Sequence, residues 1–436
     1  MTGRIENIGQ QLDAGTFSDP TFKVGVNNIS EDQQRTQDVI MERQRLVGEW
    51  DVLIERVRQR EQFKYFLRPK PFRLLRQVIT AGQVIIINVS EYRVDALIFG
   101  AIGPIEHVEL PDIDLETLTE SSANIVPQHL PAMQQRNYTA RCLKPALRTV
   151  WNDILVHIFQ KIHIPIVEVT APPYRRIWWY PTGPLTFIPI HAAGPGSSRA
   201  IDVSRLVVSS YVTTLGSLFE AQKKYQRFST GNQKLLIVSQ PQTPGQSSLP
   251  LSKDEVDKVI QIFCSSNWSR DDIACLCGSQ ATIDNVSRAL NSCSWVHLAC
   301  HGSQDYKMGM KSAFSLHDGD LSLNEIASKR LPNGQFAFLS ACQAASGLEH
   351  LPGEAIHLAG GLQFSGFLSV IATMWSIRDD DASKVADHTY RSLFCNGLQG
   401  LDPSEASIAL NRAILHLRED PSITVDRWAP FLHFGI

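Results

Sequence analysis

The sequence lacks what would direct a chain to a membrane, a nucleic acid or an oxidising compartment. Its eight cysteines (142, 264, 275, 277, 293, 300, 342 and 395) are too sparse and irregular for a disulfide framework, which suits reduced thiols and a cytoplasmic protein. Cys275 and Cys277 form a C-x-C pair, yet no second ligand pair stands at zinc spacing; no metal is expected, and the two read as small buried apolar residues. Apolar runs such as residues 84–87 have only strand length, far below the roughly eighteen residues of a membrane span. The polar opening, residues 1–19, lacks the charged-then-apolar layout of a signal peptide. Forty-one basic against 44 acidic side chains give a net charge of -3, which excludes an electrostatic footprint for nucleic acid or anionic lipid. A nucleotide-binding reading finds no G-x-G-x-x-G or P-loop word to rest on.

What is present is globular: 43% hydrophobic and 19% charged residues, in a chain long enough for one large or two fused α/β units. Residues 1–30 read as a flexible tail and 31–130 as a helical and small-sheet region. In the latter, a charged helical stretch (31–60) precedes three short apolar runs, at 83–89, 94–99 and 105–110. Residues 111–137, acidic and then Pro/Gln-rich, read as a linker or covering loop. Helical spacing returns at 141–162, and from there strands and helices alternate to the end of a domain spanning 131–436. Strands are expected at 166–169, 176–180, 235–239, 294–299, 336–340 and 369–374. Helices are expected at 215–227, 252–263, 283–293, 323–328, 354–364, 380–395 and 403–418. Ser252 (with Glu255 three residues on) and Asp380 are candidate helix N-caps. Continuous apolar strands alternating with helices argue for α/β architecture: a doubly wound, mostly parallel sheet with helices on both faces.

In such a sheet the ligand site lies beyond the carboxyl ends of the strands. His301 follows the run 295–299 closely, and Cys342 follows 336–341. A cysteine attacks carbonyl carbon as a thiolate, so it needs a base within hydrogen-bond reach and N–H donors for the oxyanion. His301 is the candidate base, and the backbone N–H groups of Gly302 and Cys342 form a candidate oxyanion hole, with no metal or organic cofactor required. Cys342 follows His301 by 41 residues, room for one crossover element between parallel strands. Other polar residues have structural readings. His297 is a satisfied core histidine, His191 orders a Pro-rich turn, and His357 lies on a helix face. Asp379, Asp380 and Asp381 cap a helix and carry solvated charge, and Trp178, Trp179 and Trp375 are core.

Five words occur in order: Trp178 to Gly194 (WWYPTGPLTFIPIHAAG), Val296 to Gly302 (VHLACHG), Leu339 to Gln343 (LSACQ), Ala372 to Asp380 (ATMWSIRDD) and the closing WAPFLHFG from Trp428. Together they resemble the CHAT domain, a caspase-like peptidase domain related to separase and often found behind tetratricopeptide repeats. The resemblance implies a His301/Cys342 dyad and limited, sequence-selective proteolysis of a protein or peptide substrate in signalling or defence. It also implies substrate-pocket walls at Met374, Trp375 and Ser376, with Asp379 or Asp380 selecting a basic residue. No tetratricopeptide repeat is visible before residue 130, so a sensor of that type is expected on a partner chain. Cys300 stands where many members have Thr. Gln343 replaces a frequent Glu, which removes a charge that would raise the pKa of the thiol. Residues 305–312 are a candidate mobile loop beside His301. The alternative reading is a catalytically silent caspase-like scaffold that binds protein partners through the same cleft.

Overall fold

The apolar runs become strands and the periodic stretches helices in the computed structural model of the chain. It describes residues 2–13, 29–79, 82–125, 132–167, 175–196, 201–227, 233–246, 248–303, 311–340, 358–395, 397 and 401–436. Two compact units result, Met1–Leu74 and Leu75–Ile436. In the first, α1 (Thr2–Asp13), within the stretch read above as a tail, packs on α2 (Ile29–Arg58). Arg4 forks onto Glu49 at 2.7 and 2.8 Å, and Gly9 brings α1 close to Trp50, whose ring lies 3.3 Å from where a Cβ would stand. The short α3 (Phe72–Arg76) follows.

The second unit begins with a meander, β1 (Gln83–Val89), β2 (Val94–Phe99) and β3 (Glu106–Glu109). Two helices come next, α4 (Leu115–Ile125) and α5 (Ala132–Val150). A π-helical turn, Trp151–Leu155, joins α5 to α6 (Val156–Lys161). Residues 111–137 therefore hold a helix where the sequence reading has a loop. Its buried Leu118, Ser122 and Ile125 recur at three- and four-residue spacing, and packing on α5 and on the turn Gly183–Phe187 outweighs its polar composition.

Beyond this lie β4 (Arg176–Pro181), α7 (Val203–Leu206), β5 (Val208–Tyr211), α8 (Leu215–Tyr225) and β6 (Leu235–Ser239). They are followed by α9 (Ser252–Ser265), β7 (Ile273–Cys277), α10 (Ile283–Leu290) and β8 (Trp295–Ala299). A small antiparallel sheet, β9 (His301–Ser303), β10 (Ala313–Ser315) and β11 (Asp320–Ser322), precedes α11 (Leu323–Ser328), β12 (Phe336–Leu339), α12 (Leu358–Ser365) and β13 (Ser369–Thr373). The chain closes with α13 (Asp379–Leu393), α14 (Ala406–Leu417), α15 (Val425–Trp428) and β14 (Phe431–Gly435). Residues 166 and 167 form a bend, and the rest of the strand expected at 166–169 lies outside the described residues.

One eleven-stranded sheet results, in the order β3-β2-β1-β4-β5-β14-β13-β12-β8-β6-β7. It is antiparallel within the meander and at β13–β14 and parallel elsewhere, the doubly wound α/β architecture read from the sequence. Helices α9, α13 and α14 pack together on one face, and α8, α11 and α12 form a second group on the other. Strands β6, β8, β12 and β13 are buried at every residue, as two covered faces require. Among the described residues, no helix is long and apolar enough to cross a membrane.

Candidate active site

Three parallel strands side by side, β8, β12 and β13, end level: Leu298 stands opposite Leu339, and Phe338 opposite Ile371. Their exits therefore emerge along one edge of the sheet, spaced by about 5 Å per strand. The level ending follows from local sequence, since each strand runs out at a small or polar residue: Cys300, Ser340 and Thr373.

Beyond β8, Cys300 is buried, the packing role its size suggests, and the backbone N–H of Gln240 donates to the Ala299 carbonyl at 2.9 Å. His301 and Gly302, both half-buried, do not sit on a loop. They form β9, with His301 opposite Ser315 and Gly302 opposite Phe314. Ser315 donates to Asp320 at 2.7 Å and accepts from Gln246 Nε2 at 2.8 Å, so a polar border backs the histidine's strand.

From β12 the chain continues to Ser340. Cys342 lies outside the described residues, and with it the expected nucleophile and one of the two expected oxyanion donors; Gln343, His357 and residues 305–310 fall there too.

Beyond β13, Met374 is buried with its N–H donating to the Pro430 carbonyl at 3.0 Å, and Trp375 is buried with Nε1 donating to the Asp426 carbonyl at 3.0 Å. Trp375 and half-buried Ser376 join Arg378, Thr424, Asp426 and Arg427 around a cavity of about 380 Å³. Asp379, half-buried, is the first residue of α13, whose N-cap is Arg378 and not Asp380. The neighbouring carboxylates are not simply solvated: Asp381 is fully buried and grips Arg427 at 2.6 and 2.8 Å, with Asp380 3.4 Å from the same guanidinium. The structure thus brings His301 and Gly302 to one strand end and Met374 to Ser376 to another, with the exit of β12 between them.

The sequence reading missed a carboxylate beneath these exits. Glu255 was paired with Ser252 as a capping box, but Leu251 is the N-cap of α9, and Ser252 donates to the Leu249 carbonyl at 2.8 Å. Glu255 instead turns inward and is 3% exposed. Its Oε2 accepts from Ser340 Oγ at 3.1 Å, and Oε1 stands 3.1 Å from Nε2 of the fully buried His297. The available signal was helical spacing, which puts Glu255 on one face with Val259 and Ile262. Trp178 and Trp179 are core, and His191 is buried with Nδ1 2.9 Å from the Tyr211 hydroxyl. Among the described residues no cluster of three or more His, Cys, Asp or Glu side chains could hold a metal ion.

A model of the CHAT domain matches residues 144–436. No curated protein matches the chain. Among solved structures, the chain is similar to Saccharomyces cerevisiae separase, from its complex with securin. The TM-score is 0.57 and the identity 9%, over 83% of this chain and 30% of that one. This chain therefore spans about 30% of the separase length, and the likeness is one of fold, the caspase-like α/β sheet. The complex of Porphyromonas gingivalis RgpB pro- and mature domains is also similar, with 12% identity and a TM-score of 0.45 over 81% of this chain and 78% of that one.

Proposed function

The chain belongs to the CHAT domain family, and from that premise we propose that it is a cysteine peptidase with Cys342 as nucleophile and His301 as general base. One observation carries the reading: β8 and β12, the strands that lead to these two residues, are parallel neighbours that end level. His301 is the second residue past β8 and Cys342 the third past β12. Across a strand spacing of about 5 Å, two or three residues of chain suffice to bring thiol and imidazole into contact.

In the proposed reaction the Cys342 thiolate attacks a peptide carbonyl, and the N–H groups of Gly302 and Cys342 stabilise the oxyanion. The proton held by His301 goes to the leaving amine, and water then cleaves the thioester with His301 as base. Met374, Trp375 and Ser376 wall the substrate recess, and Asp379 meets a basic side chain. The peptidase portion is residues 131–436, preceded by the region 31–130. Substrates are proteins or peptides cut selectively in signalling or defence, with a tetratricopeptide-repeat chain as sensor. A protein-binding cleft is supported by the separase structure, which is a complex with securin.

Alkylation with iodoacetamide at neutral pH, followed by intact mass and peptide mapping, tests the dyad against two internal standards, the exposed thiols Cys264 and Cys395. Cys342 should label at least about tenfold faster than either and lose that advantage in His301→Ala. Labelling at the rate of Cys264, indifferent to His301→Ala, would leave the silent scaffold.

A further inference from the structure

A line of buried polar groups crosses under the two strand ends, and the peptidase mechanism makes no use of it. It starts at Tyr390 in α13, whose hydroxyl is 3.1 Å from His297 Nδ1. The His297 ring stacks on Phe338 of β12 with centroids 5.3 Å apart, which fixes its plane. The tautomer that lets Tyr390 donate to Nδ1 puts the other ring proton on Nε2, facing Glu255 Oε1 at 3.1 Å. That contact lacks the alignment of a hydrogen bond, and both atoms are buried without another partner. Glu255 Oε2 then takes the hydroxyl of Ser340.

A carboxylate in this position is a liability for stability, because a buried acceptor with one good hydrogen bond is under-compensated for lost water. Among the described residues no arginine or lysine forms an ion pair with it. In other proteins, replacing a buried ionic group by an apolar side chain of similar volume often costs no stability. What the carboxylate does achieve is geometric. It touches His297, four residues before His301 on β8, and Ser340, two residues before Cys342 at the exit of β12.

We propose that Glu255 is a positioning residue for the Cys342–His301 pair, tying the exit of β12 through Ser340 to strand β8 through His297. The inference rests on the peptidase reading above. A charged acceptor holds the Ser340 hydroxyl more firmly than a neutral one and so fixes the residue two before Cys342. Glu255 itself touches neither substrate nor the reacting atoms.

The test is a cycle of Glu255→Gln, Ser340→Ala and the double variant, with Ser340→Thr as rescue, read as the rate of Cys342 alkylation alongside the melting temperature. Each single variant should slow alkylation roughly tenfold, the double variant no further, and Ser340→Thr should return to within about threefold of wild type. Ser340→Ala should do this with an essentially unchanged melting temperature, which separates positioning from loss of fold. Wild-type alkylation in Ser340→Ala overturns the proposal, as does additive slowing in the double variant, since the two residues would then act apart. If Cys342 of the wild-type chain labels no faster than Cys264, the peptidase reading fails and takes this inference with it.

Discussion

Buried histidines at two places along one sheet, His191 and His433 at one and His297 alone at the other, keep opposite company. On the side of β4, β5 and β14, guanidinium groups surround them. His433 takes a hydrogen bond from Ser210 at 2.9 Å, and the same hydroxyl accepts from Arg176, which lies 4.5 Å over the Trp178 ring. Burial, and then the charge of Arg176, holds His433 well below the usual histidine range. His191 is pushed down to about 3 by burial and then by Arg418. Both are neutral acceptors locked in place. On the side of β8 and β12 the charged neighbour of His297 is the carboxylate of Glu255; burial, and then that carboxylate, raises the Tyr390 phenol well above its ordinary value. The arginine-rich side is compensated in charge: each cation has its acceptors and each histidine is neutral, although Nε2 of His191 and of His433 is buried without a partner, as Nε2 of His297 is. The carboxylate side leaves charge imperfectly matched, beside the strand exits that the proposed chemistry needs. Imperfect compensation that persists next to a candidate site is more economically explained by geometry of the site than by stability.

The contrast breaks most visibly at Arg418 and Asp202. Arg418 donates to both carboxylate oxygens of Asp202 and, at 2.6 Å, to Ser204, while its guanidinium lies 4.0 Å over the Trp428 ring. If this side is compensated structure, Asp202→Ala strands a cation whose side chain is only 13% exposed and should cost about 3 kcal/mol in urea unfolding. A loss below about 1 kcal/mol would mean that water reaches the guanidinium and that the two sides differ less than their contacts imply.

How far the sequence carried these conclusions depends on how local each feature is. The buried parallel strands were legible because both faces are covered, so 235–239 reads as an uninterrupted apolar run and folds as β6 with the same limits. The strands β5, β7, β9, β10 and β11 went unread. They are three to five residues long, β7 lies at the sheet edge, and β9 to β11 owe their pairing to one another, which no run of apolar residues announces. At the site, His301 and Gly302 were legible as the residues after a buried strand, although that they begin a second sheet was not. Glu255 was misread for a different reason. A glutamate three residues after a serine is the ordinary sign of a capped helix, and that sign hid the helical spacing that places it inward with Val259 and Ile262; its partners His297 and Ser340 are shown only by the third dimension.

A second way to sharpen the comparison is pH. Above about pH 6.5 His191 and His433 are neutral whether the chain is folded or not. As the pH falls below that value the unfolded chain binds protons that the folded chain refuses, so the native state loses stability, by up to about 1.4 kcal/mol per pH unit for each histidine. For His191 the loss continues down to about pH 3, where the folded chain would also take the proton. Urea unfolding between about pH 7 and pH 5 should show this slope, and His433→Gln should take away the share of that ring, leaving the shares of His191 and of His388, which burial and then His416 also lower. A flat profile would mean that both rings find protons in the folded state and that neither burial nor the charges of Arg418 and Arg176 hold them neutral.

The smallest expected effect separates the two histidine environments most finely. Tyr211 and Tyr390 each place a hydroxyl against an Nδ1, at 2.9 and 3.1 Å. The Tyr211 hydroxyl also accepts the backbone N–H of His191 at 3.2 Å, so Tyr211→Phe abandons two buried partners and should cost roughly 2 kcal/mol. Tyr390→Phe abandons one and should cost about 1 kcal/mol in the same unfolding measurement. It also frees the His297 ring to turn toward Glu255 and complete the hydrogen bond that the wild-type alignment withholds. If Tyr390→Phe costs nothing, that new bond has offset the lost one, and the misaligned pair is held apart by the tyrosine. A cost equal to that of Tyr211→Phe would mean instead that Glu255 and His297 cannot approach further, and that the carboxylate is fixed by Ser340 alone.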